Sequence, residues 1–203
     1  MGKSSVATAL LSASVVLSTA AFATAFAYKP GSETWTDPAG VAGAQHKDLV
    51  TTADYYGLQV FQLHQFDKRA CLIEMDQSTF ATRDVGRLDP LKICEPTGGD
   101  IWKTADVGSG KYVTAIAVCS GKDKDDKRLF GLELWSASLH DDGELKASAK
   151  STKLEFPECK KWQAKQACPT GSVATGIRGY YDDANQGLDG ISLRCNALEP
   201  RGK

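Results

Sequence analysis

Apolar residues recur at every second position along several short stretches of this chain. Phe130, Leu132 and Leu134 alternate with Gly131, Glu133 and Trp135, and Ile191, Leu193 and Cys195 alternate with Gly190, Ser192 and Arg194. A two-residue period turns one face of an extended strand to a core and the other to solvent. Tyr112 to Val118, rich in Val, Ile, Thr and Tyr between Gly110 and Gly121, reads as a further strand. The links carry turn formers: Ser120-Gly121, Asp142-Gly143, Pro169-Thr170-Gly171 and Asn185-Gln186-Gly187. The best stretch for a helix, Lys160 to Ala167, is short. The pattern therefore predicts an all-β chain.

The alternating segments also repeat. Trp102 and Trp162 are 60 residues apart, as are Val113 and Val173. At nearly the same offset, Thr114-Ala115-Ile116 resembles Thr175-Gly176-Ile177, and Gly131-Leu132-Glu133-Leu134 resembles Gly190-Ile191-Ser192-Leu193. A degenerate third copy lies upstream, in Leu58 to Leu63, a polar hairpin at Asp67-Lys68, and Ala70 to Met75. Self-similarity at one period decides architecture before local detail does. Three units, approximately 28–90, 91–150 and 151–203, each a small antiparallel sheet with one apolar face, bury those faces by packing around a common axis. The expectation is one domain over 28–203, a three-sheet prism with pseudo-threefold symmetry. The Pro, Gly and Thr content of Tyr28 to Ala53 reads as loop wrapping over it. Trp35, Trp102, Trp135 and Trp162 are each expected to pack in the core or between sheets, with Trp135, which alternates with the apolar face of its strand, the one open to exposure.

The N-terminus changes the setting. Lys3 precedes an uncharged run from Val6 to Ala27 that ends in Ala23-Thr24-Ala25-Phe26-Ala27. This pattern predicts a signal peptide over 1–27, cleaved after Ala27, with cleavage after Ala25 as the near alternative. The expected product is secreted and extracellular, with no membrane span left after the signal is removed. Six cysteines lie beyond the signal: Cys71, Cys94, Cys119, Cys159, Cys168 and Cys195. In an oxidising compartment they form three disulfides. Sequence leaves the connectivity open. The similar separations of 25 and 27 favour Cys94–Cys119 and Cys168–Cys195, with Cys71–Cys159 left over. The chain holds no CxxC and only three histidines, which gives a zinc site little support, and no cofactor is expected. The 24 Lys and Arg nearly balance 25 Asp and Glu, so charge gives no reason to expect nucleic acid or an anionic membrane as partner.

The hairpin Asp125-Asp126-Lys127-Arg128-Leu129-Phe130-Gly131-Leu132-Glu133-Leu134 resembles the repeated signature of the vitelline membrane outer layer protein I family, roughly Asp-Asp-Thr-Ala-Leu-Asn-Gly-Ile-x-Leu-x-Cys. The last repeat, from Asp182-Asp183 through Leu188-Asp189-Gly190-Ile191-Ser192-Leu193-Arg194-Cys195, is similar, with a hairpin two residues longer. Cys168-Pro169-x-Gly171 and Thr175-Gly176-Ile177 look like the family's strand entering that hairpin. The resemblance covers 110–136 and 168–195. It fails in the first third, where Asp67 stands alone in place of the acidic pair. It implies a secreted β-prism of three Greek-key antiparallel sheets, held by disulfides. It also implies association with extracellular coats and with chito-oligosaccharide recognition or transfer. A fold does not establish a function, so the residues must carry that argument.

Catalytic patterns are thin. There is no Gly-x-Ser-x-Gly elbow, and six paired cysteines leave no thiol. Gly108-Ser109-Gly110-Lys111 is followed by Tyr112 and does not complete a phosphate loop. Acidic residues are so numerous that some carboxylate pair always matches glycosidase spacing. Asp123-x-Asp125-Asp126 is interleaved with Lys122, Lys124 and Lys127 and lacks the spacing of a calcium loop. Binding fits better. Tyr180, Tyr181, Asp182, Asp183 and Asn185 place two aromatics beside hydroxyl acceptors and an amide on one hairpin, with Asp189 following. Sugars stack their C–H faces on aromatic rings while carboxylates and amides hold their hydroxyls. Trp135 is the best tryptophan for ligand contact. The bland reading of Tyr180 and Tyr181 is one packed and one exposed strand residue. The function expected is therefore a non-catalytic, lectin-like module whose partner is a glycan or a matrix or coat component. The alternatives are a glycan-active enzyme using prism carboxylates and a structural coat or protein-binding protein.

Overall fold

The computed structural model describes residues 26–66, 68–94, 99–121, 128–182 and 187–201, and no helix occurs among them. Four short strands come first: β1 (Phe26–Tyr28), β2 (Thr34–Trp35), β3 (Ala39–Gly40) and β4 (Gln45–Val50). A long hairpin, β5 (Tyr56–Phe66) and β6 (Arg69–Thr79), precedes β7 (Val85–Arg87), β8 (Leu91–Lys92) and β9 (Asp100–Asp106). A second long hairpin, β10 (Lys111–Ser120) and β11 (Leu129–Leu139), precedes β12 (Leu145–Ala147), β13 (Thr152–Glu155), β14 (Lys161–Trp162) and β15 (Gln166–Ala167). The stretch offered as the best helix thus holds two short strands. The third hairpin is β16 (Ser172–Asp182) and β17 (Gly187–Pro200).

Each hairpin centres its own antiparallel sheet. The first runs β7-β6-β5-β9 with β8 also on β6. The second runs β12-β11-β10-β14, with β13 on β11 and β15 on β10. The third runs β1-β17-β16-β4, with β2 and β3 on β17. The segment read as a wrapping loop therefore supplies flanking strands to the last hairpin. Its strands are two to six residues long and interrupted by Pro30 and Pro38, so no alternation marks them. Proline is tolerated in such edge positions because the ladder there needs fewer N–H donors.

Threefold symmetry extends to the irregularities. In the first strand of each hairpin one extra residue, Gln59, Thr114 or Thr175, bulges out of the ladder. Their carbonyls accept equivalent bonds from the backbone N–H of Val107, Cys168 and Thr51. Nearer the tips the second strand bulges in turn, at Cys71, Phe130 and Asp189, whose carbonyls accept from Ile93, Phe156 and Val41. A bulge sharpens local twist, and placing two per hairpin curls each sheet around the common core.

The inner faces meet in that core. Phe61, Leu63, Ile73 and Met75 come from the first sheet, Ile116, Leu132 and Leu134 from the second, and Ile177, Ile191 and Leu193 from the third. At the base, away from the hairpin tips, Phe26, Phe80, Tyr112, Leu139 and Val173 form a second cluster. Tyr28 packs on this cluster, and its hydroxyl bonds to Thr51 Oγ1 at 2.5 Å and donates to the Tyr56 carbonyl. Burial pushes its phenol up to about 12. In the unfolded chain that group titrates near ~10. A raised folded value means the stabilisation is complete below ~10 and is lost as the pH rises toward about 12. Denaturant melts should therefore show stability falling across that window, and Tyr28→Phe should flatten the fall.

The disulfides are Cys71–Cys94, Cys119–Cys159 and Cys168–Cys195. The last was favoured from spacing, whereas Cys94–Cys119 and Cys71–Cys159 are corrected. Each of the first two bonds joins a hairpin strand to the segment that folds back onto the same sheet, so neither crosses between sheets. The tryptophans also depart from expectation. Trp35, Trp135 and Trp162 are half-buried on outer faces, under Arg178 at 4.3 Å, Lys165 at 4.5 Å and Lys153 at 4.7 Å from the ring centres. Trp102 and Trp162 do occupy comparable places, each on a strand flanking the first hairpin strand near its tip. Trp102 is nevertheless 57% exposed and packs in no core.

Candidate functional site

The neck of the third hairpin holds the sequence-predicted binding residues. Tyr180 pairs with Gly190, Tyr181 with Leu188 and Asp182 with Gly187. Asp183 and Asn185 lie outside the described residues, as do Asp123, Asp125 and Asp126 of the second hairpin. The N-terminal segment straps this neck from both sides. β3 pairs with β17 at Gly190 and Ile191, and β4 pairs with β16 from Tyr181 to Gly176. Residues 41–44 thus cross beside the hairpin, and Val41 N–H donates to the Asp189 carbonyl at 3.0 Å.

Two glycines allow this approach. Gly40 has φ 93° and a Cβ there would lie 2.5 Å from the Asp189 carbonyl oxygen. At Gly43 a Cβ would lie 2.3 Å from the Tyr181 carbonyl oxygen. Both obstacles are backbone, which cannot swing aside. Gly43→Ala should therefore lift the strap, costing about 1–3 kcal/mol in denaturant unfolding, with any ligand affinity of the neck falling alongside.

The two tyrosines point to opposite faces. Tyr180 sits beside His46, with ring centres 6.1 Å apart, and Ser192 Oγ is within 3.3 Å of its hydroxyl. Tyr181 lies under Lys47, 6.0 Å from the ring centre, and Lys47 Nζ donates to the Lys92 carbonyl of the first sheet at 2.7 Å. Successive residues of a strand alternate faces, so the rings do not form one platform. A single sugar can stack on either, and Tyr181 is the ring whose backbone Gly43 and Gln45 of the strap approach. Asp189 is 2% exposed and occupies the bulge position held by Cys71 and Phe130 in the other sheets. Trp135 belongs to the second sheet, across the ladder from Ala115, and is not brought to the neck.

Charge on the outer face of the third sheet is paired. Arg178 donates to both Asp48 oxygens at 2.7 Å while its guanidinium covers Trp35. That bond holds the Asp48 carboxyl below the usual carboxylate range. Glu33 is likewise lowered by its bond from Arg194. These contacts fasten β2 and β4 to β16 and β17, so they position the strap. Sequence reading missed the strap because its strands are short. The signal available was Gly40 and Gly43 on either side of small residues. Among the described residues no group of three or more His, Cys, Asp or Glu is placed to hold a metal.

No family model matches this chain, and no curated protein matches it in sequence. Solved structures do match. Calsepa lectin in complex with a biantennary N-glycan superimposes with a TM-score of 0.55 at 12% identity, over 81% of this chain and 97% of that one. The Calystegia sepium agglutinin gives 0.54 at 12%, over 81% and 96%. A single-chain recombinant jacalin gives 0.51 at 12%, over 80% and 93%. At such identities the likeness concerns the fold, and in fold this chain is a β-prism with pseudo-threefold symmetry.

Proposed function

We propose that this chain is a secreted, non-catalytic, lectin-like module that binds a glycan at the strapped neck of its third hairpin. The observation that carries the reading is the clamping of residues 39–45 onto Tyr181, Gly190 and Ile191, which fixes an aromatic ring at one end of the prism. Fixed groups bind sugars with less loss of side-chain freedom than mobile ones. The likeness to a lectin solved with a biantennary N-glycan supports a glycan as the ligand class. The paired hairpin signatures support a finer placement, near the vitelline membrane outer layer protein I family, with a matrix or coat glycan as partner. Three disulfides fit an oxidising, extracellular location.

The test is glycan binding by the wild-type chain and by Tyr181→Ala and Asp182→Asn. Each substitution should weaken binding at least about tenfold. Undiminished binding by both variants sinks the neck as the site.

A further inference from the structure

The outer face of the first sheet carries a cluster that the hairpin neck does not use. Of the four tryptophans, three lie under a cation, and among the described residues Trp102 has none over its ring. Its indole is 57% exposed, with His64 beside it at 6.5 Å between ring centres and 35° between planes. In the ladder His64 lies directly across from Trp102.

His64 is a buried polar side chain, 9% exposed, at the floor of this cluster. Its Nδ1 lies 3.0 and 3.2 Å from the two Asp100 carboxylate oxygens, which orients the ring with Nδ1–H as donor. Its Nε2 is buried and has no hydrogen-bond partner among the described residues. The nearest carboxylate oxygen, Glu74 Oε2, stands 3.8 Å away, beyond bonding reach. Glu74 is held in turn by Arg87 Nη1 at 3.2 Å. Two carboxylates thus stand at the margin of an open indole, with a buried imidazole between them.

We propose that this face is a second carbohydrate site, one that takes a pyranose residue. The sugar's C–H face stacks on Trp102. Hydroxyls at the ring's margin donate to the Asp100 and Glu74 carboxylates, between which the buried His64 ring lies. An aromatic plane with acceptors at its margin suits a neutral sugar, which brings both a weakly polar face and several donors. The site does not depend on the third hairpin and lies on a different sheet. With the neck occupied as well, one chain would bridge two glycans and gain avidity without new contacts.

The test is iodide quenching of tryptophan fluorescence with methyl α-mannoside, methyl β-galactoside and methyl N-acetyl-β-glucosaminide as probes. In the wild type Trp102 is the most exposed indole and should dominate the quenchable fraction, and at least one glycoside should shield it. Trp102→Ala should sharply reduce the quenchable fraction and abolish the shielding. Glu74→Gln should keep the fraction but weaken the shielding glycoside about tenfold. Tyr181→Ala should leave shielding unchanged, which separates this site from the neck. The proposal is overturned if no glycoside shields Trp102, if Glu74→Gln shields as well as wild type, or if Tyr181→Ala removes the effect.

Discussion

Replacing Cys119 and Cys159 together by serine lowers the unfolding free energy by about 4 kcal/mol. The bond closes the widest span of the three, 40 residues against 23 and 27. Loop-closure entropy removed from the unfolded chain grows with that span, so this bond should contribute more than Cys71–Cys94. Cys119 is fully buried near the end of β10, opposite Gly131 in the ladder. Its partner follows β13 in the turn where Cys159 N–H donates to the Phe156 carbonyl at 3.0 Å. Without the bond, the return from β13 to β14 is held only by short ladders, and the second sheet opens at its tip. Urea unfolding should show the midpoint displaced to lower concentration, with a somewhat steeper slope because the unfolded chain, freed of the cross-link, exposes more surface. A shift below about 1 kcal/mol would mean that the unfolded chain already holds this loop closed.

A chain that begins at Tyr28 should be less stable than one that begins at Phe26 by about 3 kcal/mol. Phe26 is 3% exposed, lies across the ladder from Pro200 and sits in the base cluster with Phe80, Tyr112, Leu139 and Val173. A Cβ at Gly143 would lie 2.8 Å from its ring, so the loop after β11 is shaped to receive it. Cleavage after Ala27 would discard that ring and leave a cavity among aromatic residues. Cleavage after Ala25, equally well marked by small residues, keeps it. N-terminal sequencing of a processed chain should read phenylalanine first. A tyrosine first, together with equal stability of the two chains, would show that the base cluster closes without Phe26.

Much of the prism is legible in the sequence because its long hairpins alternate strictly. Leu132 and Leu134, Ile191 and Leu193 face the core as their period requires. The echo of Thr114 and Thr175 even marks the bulges, since those threonines are the extra residues themselves. Strands of two or three residues are another matter: β2 and β3 span too few positions to show any period. Their place is decided by backbone bonds to β17 that composition does not reveal. Disulfide partners depend on where each segment folds back, which spacing does not encode. Trp102 illustrates a further limit. Ile101 and Trp102 are adjacent and both exposed, because β9 is the outermost strand of its sheet and its neighbours leave both faces open. A period-two rule assigns one of them inward. Tyr180 and Tyr181 were found as candidates, yet their separation onto two faces needed the pairing with His46 and the contact with Lys47.

The central claim, glycan binding by a non-catalytic prism, is tested most directly by applying the folded, fully oxidised chain 26–203 to a glycan array. The account predicts a discrete set of retained glycans whose lengths are unchanged after incubation, and whose binding falls with Tyr181→Ala. A blank array, or shortened glycans, would contradict it.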